Sequence, residues 1–185
     1  MSLKIESEIV PRAIATVLYG VEAIGKTTLA SMFPRPVFAD TEHGTARLDV
    51  RRVTINKWEE LFEMIDQIIA DPSICETFVL DTADWAEALC IKYILDKNHK
   101  ASIEDFGYGK GYTYIGEEFS RLLAALDKLI EAGINVTVVA HAKPRKYELP
   151  EEEGQFDRYE MKLSKQVAPL LKEWCDMLLF CNYKT

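Results

Sequence analysis

The stretch VLYGVEAIGKTTLASMF, residues 17–33, constrains this chain more than any other. Gly20, Gly25, Lys26 and Thr27 fall at the spacing G-x-x-x-x-G-K-T. The continuous apolar run 13–20 precedes the turn as a buried strand, and KTTLASMF follows it as a helix stopped by Pro34. A strand, a glycine turn and a helix in that order make an anion cradle. Backbone N–H groups from about Glu22 to Thr27 wrap the anion, and the helix presents its positive end. Gly20 and Gly25 allow angles and a close approach that a Cβ would block. Lys26 reaches β- and γ-phosphate oxygens, and the Thr27 hydroxyl ligates Mg2+. The expected ligand is therefore ATP with Mg2+, held by Gly20, Glu22, Ala23, Ile24, Gly25, Lys26, Thr27 and Thr28. The alternative is a chance match in a glycine turn, which the flanking strand and helix argue against.

The remaining chain alternates apolar strands with amphipathic segments. Strands are expected at 36–42, 77–82, 134–141 and 176–183. A helix over 56–71 places Trp58, Leu61, Ile65 and Ile68 on one face, with Asn56 and Glu59 as its capping box. A further helix covers 83–99, and a long one buries Phe119, Leu122, Leu126 and Leu129 before Gly133. FGYGKGYTY, 106–114, interrupts the pattern, and the polar run 146–163 reads as a hairpin around Glu152–Gly154. This alternation predicts a three-layer α/β fold with a mostly parallel sheet, in one domain spanning 1–185.

Composition narrows the partners. A net charge of −8 argues against a broad basic surface for duplex nucleic acid, though it leaves room for a local basic loop. No apolar run reaches the ~20 residues that span a bilayer, and no secretory signal is visible. Cys75, Cys90, Cys175 and Cys181 are scattered, with no C-x-x-C pair, and read as small core residues of a reducing cytoplasm. The chain stops within a few residues of its last strand, and the sequence leaves open whether the native protein continues beyond Thr185.

In a parallel sheet, ligands sit at the carboxyl ends of the strands. Asp81 ends TFVLD and can hold a Mg2+-bound water; the alternative is a cap for the helix that follows in DTADW. Glu42 ends PVFADTE and can polarise the attacking water, with Asp40 as its rival and an exposed loop carboxylate as the plain alternative. His141 ends VTVVAH and can hydrogen-bond a γ-phosphate, or be no more than a satisfied polar residue.

Taken together, GVEAIGKTTLA, VFADTEHG, FVLDTADW and VVAH resemble the RecA family, in the same order and over residues 13–141. The segments FGYGKGY and MKLSKQVAPLLKEWCDMLLF resemble the short phage-encoded branch linked to recombination. The resemblance implies a RecA-like P-loop ATPase, with Glu22 in the loop, Glu42 activating water, Asp81 on the Walker B strand and His141 as the polar sensor. One departure is plain: RecA carries an amide at the sensor position. The implied setting is the cytoplasm of a bacterial host, with the gene on a phage or prophage.

In the RecA-like plan, two loops face single-stranded DNA. Their equivalents are 97–114 and 143–160. The first carries Lys97, Lys100 and Lys110 with Phe106, Tyr108, Tyr112 and Tyr114, suited to neutralising phosphates and stacking bases; tyrosines packed on a neighbouring helix are the alternative. The second carries Lys143, Arg145 and Lys146, opposed by Glu151–Glu153. The resemblance also implies a homo-oligomer, with a basic residue reaching into a neighbour's site, for which Arg145, Lys162 and Lys165 are candidates. Two other functions stay open: a small-molecule kinase, and a nucleotide-binding regulatory or assembly protein with little turnover.

Overall fold

The computed structural model of the chain describes Ile9, residues 11–148 and residues 155–183. Its elements are β1 (Ala15–Gly20), α1 (Lys26–Ser31), β2 (Pro36–Asp40), β3 (Arg51–Thr54), α2 (Trp58–Ala70), β4 (Thr77–Asp81), α3 (Ala83–Lys97), α4 (Lys110–Glu131), β5 (Asn135–Glu148), β6 (Gln155–Met161), α5 (Val167–Trp174) and β7 (Met177–Cys181).

The strands form one seven-stranded sheet in the order β3-β2-β4-β5-β1-β7, with β6 paired to β5. Every pairing is parallel except β5 with β6. The fold is the expected three-layer α/β arrangement around a mostly parallel sheet. Because β5 lies between β1 and β4, the phosphate loop and Asp81 are one strand apart. Alternate residues face opposite layers. Val17, Val138, Leu80 and Ala39 pack into the larger core beneath α2 to α5. Leu18, Val139, Val79 and Phe38 form the smaller core with Ala30 of α1. A strand covered on both faces is apolar but for an occasional small buried threonine, here Thr16, Thr77 and Thr137, which is why β1, β2, β4 and the first half of β5 read as near-continuous apolar runs.

The amphipathic helices bury the expected faces. Trp58, Leu61, Ile65 and Ile68 of α2 and Phe119, Leu122, Leu126 and Leu129 of α4 are all buried. Gly133 takes the left-handed conformation, φ 85°, that ends α4, and the Ile134 amide closes the turn onto the Leu129 carbonyl at 2.9 Å. The cap of α2 is displaced by one residue from expectation. Glu60, not Glu59, accepts the backbone N–H groups of Asn56 and Lys57 at 2.7 and 3.1 Å.

Three further differences have local causes. The edge strand β3, RRVT, was not expected, since all four of its residues are exposed and it carries no apolar period. β5 does not stop at His141 but runs on to Glu148 as one arm of the β5–β6 hairpin; the turn expected around Glu152–Gly154 lies outside the described residues. α4 begins at Lys110, so Tyr112 and Tyr114 are helical and the break is confined to Gly107–Gly109. Cys75 and Cys90 are core residues, as expected, whereas Cys175 and Cys181 are only partly buried. Among the described residues, no helix is long and apolar enough to cross a membrane.

Candidate functional site

Four strand ends line up along one edge of the sheet. In the order β2, β4, β5, β1 they bring Glu42, Asp81, His141 and the phosphate loop to a cleft of about 260 Å3. Ala23, Gly25, Lys26, Thr27, Thr28, Gly44 and Thr82 complete its walls. Larger hollows of about 540 and 410 Å3 lie between α2, α3 and α4, around Tyr93 and Lys97, and hold none of the loop residues. Their size is no argument; the convergence of charged groups singles out the small cleft.

The loop's two glycines are needed for different reasons. Gly25 sits at φ 95°, so its demand is conformational. Gly20 lies in β1, where an added Cβ would come 2.5 Å from the Cys181 carbonyl oxygen. Its smallness serves the packing of β7 on β1. Lys26 is buried, and its ammonium donates to the carbonyls of Gly20 and Val21 at 3.1 and 2.8 Å. Burial lowers its pKa, against the pull of the nearby carboxylates, Asp81 first among them.

Asp81 ends β4 and is buried. Burial raises its pKa to about 6, helped by Glu42 and Asp40 and opposed by a hydrogen bond from the Thr27 side chain. Its Oδ1 has no hydrogen-bond partner. An orphaned buried carboxylate oxygen beside a hydroxyl is a hard-oxygen donor pair that fits Mg2+. Among the described residues, no group of three or more His, Cys, Asp or Glu is arranged to hold a metal alone.

Asp40 and Glu42 separate clearly. Asp40 is buried, and its carboxylate accepts the N–H groups of Gly44 and Thr45 at 3.2 Å and the Thr45 hydroxyl. It shapes the turn 44–47 and, being buried, is not among the residues that line the cleft. Glu42 is partly exposed, lines the cleft, and stands 3.7 Å from His141 Nε2. Between them, Thr41 ties the tips of β2 and β4 together. Its hydroxyl accepts from the Thr82 amide at 2.8 Å and donates to the Thr82 carbonyl at 2.9 Å. The Asp81 carbonyl accepts the Thr41 and Glu42 amides at 2.8 and 3.3 Å. The Asp81–Thr82 peptide is cis.

His141 is buried beside Asp84, whose Oδ2 lies 2.9 Å from Nδ1 and whose Oδ1 accepts the His141 amide at 3.1 Å. The hydrogen bond with Asp84 raises the His141 pKa, against burial and Lys26. For Asp84, burial acts upward, but the bonds from His141 outweigh it and the pKa falls. Neither Thr41 nor Asp84 was singled out from sequence. Asp84 sits in the first turn of α3, where an acidic residue is ordinary and carries no other signal.

Two of the three basic candidates are paired within the chain. Arg145 pairs with Glu160 at 3.2 Å, and Lys162 stands 3.9 Å from Glu22 of its own loop. Lys165 is exposed and, with Lys143 and Lys172, lines a hollow at the base of the hairpin. Of the aromatic residues in 97–114, Phe106 packs edge-on against Tyr114, and the Tyr112 hydroxyl donates to Glu104 at 3.1 Å. Tyr108 alone of the four is fully exposed, on a left-handed stretch with φ 68°, 48° and 75° at Gly107, Tyr108 and Gly109.

A search of the curated proteins finds no match. Among solved structures, the chain is similar to a KaiC-like protein from the hyperthermophilic archaeon Pyrococcus horikoshii OT3, at 11% identity and a TM-score of 0.47, covering 84% of this chain and 81% of that one. Residues 12–185 match the profile of a family described as an AAA domain. Nearly the whole described chain lies within that match, phosphate loop and strand tips included, and the protein belongs to this AAA domain family of P-loop ATPases.

Proposed function

We propose that the chain binds ATP with Mg2+ and hydrolyses it, and that turnover is linked to single-stranded DNA. The observation that supports hydrolysis is the meeting of Glu42, Asp81 and His141 on the cleft that Lys26, Thr27 and Thr28 line. Lys26 binds the β- and γ-phosphates. Thr27 and Asp81 hold Mg2+, which supplies positive charge to the phosphate oxygens. Glu42 orients the attacking water and takes its proton, and His141 contacts the outermost phosphate. The cleft, about 260 Å3, is of a size for the phosphate tail.

The DNA reading is supported by Tyr108, with Lys100 and Lys110 in the same segment, as a stacking and phosphate-neutralising tip. The resemblance to the short phage-encoded branch supports a role in recombination or replication, and a homo-oligomer whose subunits complete one another's sites. The deciding experiment is ATP turnover with and without single-stranded DNA, at rising protein concentration. Stimulation by DNA supports the reading. Phosphate transfer to a metabolite would identify a kinase, and tight binding without turnover would identify a regulatory or assembly protein.

A further inference from the structure

We propose that Asp84 is a positioning residue that holds His141 as the Nδ1–H imidazole with Nε2 turned toward Glu42, making the three side chains one proton relay at the hydrolytic end of the cleft. The relay rests on the hydrolase reading above; the grip of Asp84 on His141 does not.

Each oxygen of Asp84 meets His141. Oδ1 accepts the His141 backbone N–H at 3.1 Å, and Oδ2 faces Nδ1 at 2.9 Å. An ionised carboxylate only accepts hydrogen bonds, so Nδ1 carries the hydrogen. Nε2 is the ring nitrogen left free, and it stands 3.7 Å from Glu42 Oε2. Two attachment points, one on the backbone and one on the ring, fix the rotation of the imidazole as well as its tautomer. Both side chains are only 9% exposed, so water does not compete for these bonds. An exposed first-turn Asp would interact with its own helix end. Asp84 instead reaches from α3 across to the tip of β5. The same strand-to-helix turn that presents Asp81 to the cleft thereby presents Asp84 to His141.

The step balances as follows. The water oxygen bonds to the γ-phosphorus while the bond from that phosphorus to the bridging oxygen breaks, leaving on the nucleoside diphosphate. The water's proton passes to the Glu42 carboxylate and then to Nε2 of His141. Asp84 stabilises the imidazolium until the proton leaves with the released phosphate. The relay requires the 3.7 Å gap to close to hydrogen-bonding distance when substrate binds, as catalytic hydrogen bonds are commonly longer in the free enzyme. A carboxylate that sets the tautomer of a histidine in this way governs its chemistry without touching the substrate.

The test is the 15N spectrum of the histidine rings at about pH 9, where the imidazole is neutral, with the His141 signals assigned by their loss in His141→Gln. The wild-type chain is expected to show His141 as the Nδ1–H tautomer. Asp84→Asn is expected to turn it to Nε2–H, because the amide donates to Nδ1. Turnover should fall about 10–100-fold, the range for loss of such supporting partners, while affinity for a non-hydrolysable ATP analogue changes less than about twofold. A wild-type His141 in the Nε2–H form overturns the proposal, even if Asp84→Asn fails to fold. A flipped tautomer with unchanged turnover overturns the relay. A wild-type protein without ATP turnover sinks the hydrolase reading, and the tautomer still confirms or overturns the grip.

Discussion

The Thr41 hydroxyl and the Thr82 backbone exchange two hydrogen bonds, at 2.8 and 2.9 Å, across the tips of β2 and β4. Glu42 and Asp81, the two acidic groups of the cleft, flank this clasp in sequence. Thr41→Val removes both bonds at constant shape and leaves the buried Thr82 amide unpaired, while the Thr82 carbonyl keeps the Ala86 amide, at a cost of about 1–3 kcal/mol. Thr41→Ser keeps the hydroxyl and should cost far less. Denaturant unfolding of the two variants checks this, and a valine variant as stable as wild type would dismiss the clasp.

Asp40 and Glu42 lie two residues apart, and their substitutions should fail in different assays. Glu42→Gln is expected to bind ATP normally and slow turnover by about 10²–10³-fold, within the usual range for a lost general base. Asp40→Asn is expected to lower stability by about 1–3 kcal/mol, since it unsettles the amides of the turn 44–47. Unchanged turnover in Glu42→Gln removes Glu42 from the mechanism.

Asp81 stays protonated up to about pH 6 in the folded chain, because burial disfavours its charge. In the unfolded chain it ionises near pH 3.9. Between those values the native state holds the extra proton. Its contribution to stability therefore falls as pH rises from about 4 to about 6, and stays lost above. Two pKa units correspond to roughly 3 kcal/mol. Asp81→Asn should match wild type at pH 3.5 and exceed it by up to that amount at pH 8. Added Mg2+ and ATP should raise the melting temperature of wild type more than that of the variant. A variant that gains nothing at pH 8 refutes the assignment.

Gly20→Ala should loosen β7 from β1, since the new Cβ meets the Cys181 carbonyl at 2.5 Å. Overpacking of this kind costs about 1–3 kcal/mol. Hydrogen exchange of the β7 amides should rise more than that of the β2 amides. Equal protection would show that β7 yields without cost.

Tyr108→Ala should leave the melting temperature unchanged, because the ring touches solvent on all sides. If the 97–114 segment binds single-stranded DNA, the variant loses about 1–3 kcal/mol of affinity. Tyr114→Ala should instead lower stability, through its contact with Phe106. Unaltered DNA affinity in Tyr108→Ala would take this tip out of the interface.

The phosphate loop was legible because its chemistry is local: glycines, lysine and threonine act within one turn of chain. The strand tips were legible because a doubly covered strand is largely apolar, so the polar residues that close each run mark its end. Asp81 and His141 were found that way, and Glu42 with Asp40 as its rival. The buried faces of α2 and α4 followed from a 3.6-residue period. The edge strand β3 escaped because its exposed RRVT has neither signal, and Glu60 because capping reads a register that shifts by one residue without altering the pattern.

Asp84, Thr41 and the split between Asp40 and Glu42 belong to another kind of information. Asp84 meets His141 across 57 positions, and Thr41 meets Thr82 across 41. No local period encodes such a meeting, since it depends on which strands the sheet sets side by side. The same holds for Tyr112 and Tyr114, whose partners exist only once the turn before α4 has folded against it. Chain chemistry along one strand or one turn names the reactive groups. The neighbours that burial and sheet order supply settle which of those groups are held, which are spent on structure, and which face the cleft.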